Sequence, residues 1–60
     1  MIYIAGIRVD DWQIIGVFTD MASAQARVVE SQTNSHPENH LHKIEEWEFG
    51  AYEPLTVVEI

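Results

Sequence analysis

A chain of 60 residues with ten acidic and three basic side chains, a net charge of −7, has room for one small core and little positive charge. The absence of cysteine excludes disulfides and thiolate zinc sites, and the scarcity of Lys and Arg argues against direct binding to nucleic-acid backbones. No apolar run approaches the roughly 20 residues that span a bilayer, and no signal-peptide pattern is present, so a soluble cytoplasmic protein without membrane contact is expected.

Ile2 to Val9 reads as a first strand, rich in β-branched and aromatic residues. Tyr3, Ala5, Ile7 and Val9 share one face, and Ile2, Ile4, Gly6 and Arg8 share the other. Both faces are largely apolar, which suits a central strand. Asp10-Asp11 signals a turn, and the short connection to a second strand over Trp12–Phe18 implies an antiparallel hairpin. Gly6 and Gly16 inside these strands mark places for a bulge or a close backbone approach.

Thr19 is placed to cap a helix over Asp20–Ser31, with Asp20 in its first turn. Met21, Ala24 and Val28 recur at helical spacing and should face the sheet. Gln32 to His40 holds no apolar residue and reads as a loop. A third strand follows over Leu41–Phe49, with His42, Ile44, Glu46 and Glu48 on one face. Leu41, Lys43, Glu45, Trp47 and Phe49 take the other, unless a bulge rephases the two halves. Gly50 to Pro54 leads into a last strand, Leu55–Ile60.

The expectation is a single α+β domain over residues 1–60, ββαββ, with a four-stranded antiparallel sheet in the order 2-1-3-4. One helix covers one face only. The other face should then display several of Trp12, Trp47, Phe49 and Tyr52, an apolar patch of the kind that marks interaction surfaces.

The segment Gly16-Val17-Phe18-Thr19, followed by Ala24 and Val28 and then Ile44, Trp47 and Phe49, resembles a family of small uncharacterised bacterial and phage domains. Their pattern is a hairpin ending in Gly-x-Phe-Ser/Thr, an alanine-containing helix, a polar loop and a further strand. The resemblance covers about residues 1–50. It implies the fold and an origin in bacteria or their phages, and it brings no catalytic residue with it.

Candidate chemistry is sparse. His36, His40 and His42 cluster around Glu38, and His40 and His42 at i, i+2 on a strand would point the same way. Solvated loop histidines are the plainer reading, and no metal or other cofactor is assigned. Glu45, Glu46 and Glu48 lack the cleft that general acid–base catalysis requires, and Glu45 and Glu46 should face opposite ways. No nucleophile–base motif or phosphate-binding loop is present.

The function expected is therefore a small acidic non-enzymatic protein-interaction module that self-associates as a homodimer through Trp12, Trp47, Phe49 and Tyr52. A phage-encoded inhibitor of a host defence or nucleic-acid-handling protein fits the resemblance, with Glu45, Glu46 and Glu48 as an acidic partner-binding face. A small-ligand or metal-binding module and a structural subunit of a larger assembly are the alternatives.

Overall fold

A computed structural model describes residues 1–34 and 40–60. Strands β1 (Ile2–Val9), β2 (Asp11–Phe18), β3 (Leu41–Trp47) and β4 (Thr56–Glu59) form one antiparallel sheet in the order β2-β1-β3-β4, with helix α1 (Met21–Asn34) on one side. The central place of β1 follows from its two apolar faces, and the order is the one expected.

The β1–β2 hairpin turns at Asp10, whose φ of 66° lies in the left-handed region. Aspartate tolerates that region better than most residues because its short polar side chain hydrogen-bonds locally. Tyr3 pairs with Phe18 and Ala5 with Gly16, whereas Gly6 pairs with Ile14. Ile15 is thus the extra residue of a β-bulge. Its side chain turns toward the helix and packs against the core, and its carbonyl accepts from Arg27 Nε at 3.0 Å.

Gly16 is needed at this bend. A Cβ there would stand 2.5 Å from Phe18 Cε2, so the bare backbone is what lets the Phe18 ring lie over it. The β1–β3 register runs without a slip from Ile2↔Trp47 to Arg8↔Leu41. The alternation expected for the third strand therefore holds through Trp47.

The helix begins one residue later than the Thr19 cap would place it. Asp20 is the cap: its Oδ1 accepts from the Ser23 N–H at 2.8 Å and its Oδ2 from the Ser23 hydroxyl at 2.9 Å. Both residue types cap well, and Ser23, with two donors to offer, selects Asp20. The helix also runs past Ser31 to Asn34, so Gln32–Asn34 are helical rather than loop. Nothing in that tract breaks a helix, and the Thr33 hydroxyl donates back to the Val29 carbonyl.

The strand expected to reach Phe49 stops at Trp47, because Phe49 and Gly50 form a turn in which Gly50 takes a φ of 77°. The last strand is correspondingly shorter than Leu55–Ile60, although the Leu55 and Ile60 N–H groups still donate to carbonyls of β3.

The core is small. Ala5, Ala24, Val28 and Ile44 form its buried centre, and Tyr3, Ile15, Phe18 and Met21 pack around it. The two alanines let the helix lie close on β1, but they contribute little apolar area. The helix packs on β1, β2 and β3 and makes no contact with β4. The Cα envelope is a slab of 37 × 23 × 14 Å, one helix layer on one sheet layer.

Candidate interaction surface

The face of the sheet turned away from the helix carries Ile2, Ile4, Gly6 and Arg8 from β1 and Trp12, Ile14 and Val17 from β2. Leu41, Lys43, Glu45 and Trp47 from β3 and Val57 and Glu59 from β4 complete it. Ile14 is 69% exposed, and Val17, Leu41 and Val57 are also well exposed. A row of polar contacts crosses this apolar field. Lys43 Nζ lies 4.3 Å from the centroid of the Trp12 ring and 3.3 Å from Glu45 Oε2, and Trp47 Nε1 donates to Glu45 Oε1 at 3.3 Å.

The row follows from sequence spacing. Lys43, Glu45 and Trp47 alternate along β3 and so share one side, and the register sets Trp12 two strands away, with Gly6 between them. Gly6 has no side chain to separate the ammonium from the ring: a Cβ there would sit 3.6 Å from both Trp12 Cε3 and Lys43 Cγ. A hollow of about 130 Å³ remains above it, lined by Ile4, Trp12, Ile14, Lys43 and Glu45. Both charges are already paired and the indole N–H has its acceptor. Covering this face therefore leaves no unpaired charge in its centre, the condition on which burial of ions depends.

The charges on this face, Arg8, Lys43, Glu45 and Glu59, sum to zero, although the chain as a whole carries −7. The excess acid lies in the turns, on the helix, on the helix side of the sheet and at Glu38, outside the described residues.

Of the aromatic residues singled out in the sequence, Trp12 and Trp47 stand half-buried on the helix-free face. Phe49 and Tyr52 lie in the β3–β4 connection and are almost wholly exposed. The three glutamates are not brought together. Glu45 is in the polar row, Glu46 is on the helix side where it receives a hydrogen bond from the Tyr3 hydroxyl, and Glu48 is exposed beyond the end of β3.

The histidines also separate. His36 and Glu38 lie outside the described residues. His42 is not a solvated loop residue: it is 1% exposed, on the helix side of β3. Its Nδ1 faces the His40 carbonyl at 2.9 Å, and its Nε2 faces Ser31 Oγ at 2.9 Å. Because a carbonyl can only accept, Nδ1 carries the hydrogen in the neutral ring and Nε2 accepts from the hydroxyl. Sequence reasoning missed this, yet a signal was present in the parity His42 shares with the apolar Ile44. Among the described residues no three His, Asp or Glu side chains converge as metal ligands, and no helix is long and apolar enough to cross a membrane.

No family model, curated protein or solved structure matches the sequence, so geometry alone carries the functional reading.

Proposed function

We propose that this chain is a small non-enzymatic interaction module that self-associates by burying the helix-free face of its sheet. The observation that carries this reading is the imbalance between core and surface. Among the described residues five apolar side chains are buried, two of them alanines, while twelve large hydrophobic residues stay exposed. A protomer of this size gains little from such a core, and association is a common remedy.

The face suits a second copy of itself. It is neutral and apolar, and it offers a protruding Ile14 beside the hollow over Gly6, to which Ile14 is paired across the hairpin. A twofold axis near that pair sets each Ile14 against the hollow of the other copy, an isologous contact. Two sheets stacked about 10 Å apart bury their facing side chains as a sandwich does.

The test is mass in solution by light scattering on wild type and on Ile14→Asp, a substitution at a side chain that the protomer core does not use. The expected result is an assembled wild type and a variant of half its mass with unchanged circular dichroism. A monomeric wild type at micromolar concentration, or a variant of undiminished mass, overturns the reading.

The excess acid outside this face leaves a second role for the assembled module, attraction of a basic partner protein. A host-directed inhibitor, a role that a phage origin would suit, would act through those groups. Its test is salt-sensitive binding that weakens on reversal of Glu46 and Glu48.

A further inference from the structure

The two edges of the sheet are finished differently. On β2 the ladder is interrupted by the bulge at Ile15, and the Ile15 carbonyl is occupied by Arg27 Nε. Bulges are one of the ways in which folds spoil an edge for further pairing. β4 has neither feature. Its register with β3 is regular from Thr56 to Glu59, no helix Cα lies within 8 Å of a β4 Cα, and Thr56, Val57, Val58 and Glu59 are all exposed. It is rich in strong strand formers.

The Ile60 N–H donates to the His42 carbonyl at 2.9 Å, in step with the ladder. The Leu55 N–H, which donates to the Glu46 carbonyl opposite Thr56, departs from the alternation of an antiparallel pair, but from Thr56 on the alternation holds and the backbone groups of Thr56 and Val58 turn toward β3. Those of Val57 and Glu59 turn outward.

We infer that β4 pairs antiparallel with β4 of a second copy about a twofold axis at Val58. In this register Val57 stands opposite the partner's Glu59, and Glu59 opposite the partner's Val57. Each of these pairs exchanges both of its backbone hydrogen bonds, so every outward group of β4 is satisfied. On the helix side Val58 meets the partner's Val58, and Thr56 meets the partner's Ile60, where α1 leaves the strand bare.

Charge admits a second copy and disfavours one register. Glu59 is the one acid in β4, and the charges of the described residues on its face sum to zero, so a second copy is not repelled there although the chain carries −7. An axis at Glu59 would set two carboxylates opposite each other, which is unfavourable. At Val58 each carboxylate instead stands opposite a valine.

The product is an eight-stranded sheet with both helices on one side. It uses atoms distinct from those of the helix-free face, so either contact forms without the other.

Amide hydrogen exchange on the full chain tests the pairing. Val57 and Glu59 should exchange roughly tenfold or more slowly than the exposed turn at Gly50. Val57→Pro removes an N–H that the protomer does not use, so the β3–β4 ladder persists while the assembly loses mass and Glu59 loses protection. Wild-type amides at 57 and 59 exchanging as fast as Gly50 overturn the inference, whether or not the proline variant folds. A folded Val57→Pro chain of full mass overturns it too. Ile14→Asp separates the two contacts: it abolishes the face contact and leaves Val57 and Glu59 protected.

Discussion

His42 Nε2 and Ser31 Oγ, 2.9 Å apart, join the third strand to the helix across the covered face. The ring is one of the largest fully buried side chains in the protein, in a core that otherwise rests on alanine, valine and isoleucine. Ser31→Ala leaves Nε2 without its donor and should cost about 1–3 kcal/mol. His42→Leu removes the demand for that donor, so the double replacement should cost less than the sum of the two singles. Urea unfolding of the four chains measures this, and strict additivity would show that the contact contributes nothing.

Gly16→Ala should destabilise the protomer by about 1–3 kcal/mol, because the added methyl displaces the Phe18 ring from its place beside the core. Gly6→Ala should do the opposite. Its Cβ meets only ordinary contacts, at 3.4 Å from the Gln13 carbonyl oxygen and 3.6 Å from Trp12 and Lys43. Restricting the unfolded chain then stabilises the protomer by about 0.4–1 kcal/mol. The same methyl intrudes on the hollow, so association should weaken while the melting temperature of the dilute chain rises. A tighter assembly in the Gly6→Ala chain would count against Ile14 seating there.

Asp10→Gly should stabilise the hairpin by about 0.5–1 kcal/mol by relieving the left-handed φ of 66°. Asp10→Val, branched at Cβ, should destabilise it. Thermal melts of the two variants in opposite directions confirm that backbone strain sits at this residue.

Two groups give the stability a pH dependence at opposite ends of the scale. Hydrogen bonds from the Ser23 amide and hydroxyl hold the Asp20 carboxyl below its ordinary value of 3.8. A lowered acid stabilises the fold at and above its unfolded value, and that contribution is lost as pH falls through the folded value. Asp20→Ala should therefore lower the melting temperature at pH 7 and flatten its decline below pH 4.

Tyr3 behaves in the other sense. Its hydrogen bond to Glu46, reinforced by burial and by the nearby negative charges of Glu46 and Asp20, raises the hydroxyl above 10.0. That contribution is complete below the unfolded value and disappears as pH climbs through the folded one. Tyr3→Phe should remove this part of the alkaline decline, and melts in a pH series would reveal an unaltered slope if the bond were idle.

The fold was legible because β1 and β3 alternate without interruption. The pattern of Tyr3, Ala5 and Ile7 against Ile2, Ile4 and Gly6 places β1 centrally, and Met21, Ala24 and Val28 mark the face of the helix that meets it. What escaped the sequence were choices between near-equal local options. Thr19 and Asp20 both cap helices, and only the Ser23 side chain separates them. Phe49 continues the alternation of β3, but the neighbouring Gly50 takes the chain out of the sheet. Glu45 carries the same charge as Glu46 and Glu48, and its distinct role comes from Lys43 and Trp47, each two residues away on the same face. The site was readable as an aromatic surface. Its polar row was not, because acids in an acidic chain read as solvated.

The hydrogen bond from Arg27 to Ile15 also distinguishes one edge of the sheet from the other. A sheet with two receptive edges adds copies end to end without limit, whereas a sheet with one such edge stops after a single addition. If β4 pairs as inferred, the bulge at Ile15 and its occupied carbonyl leave the β2 edge unsuited to the same pairing. Arg27→Ala frees the Ile15 carbonyl but leaves the bulge, so the β2 edge should remain unpaired.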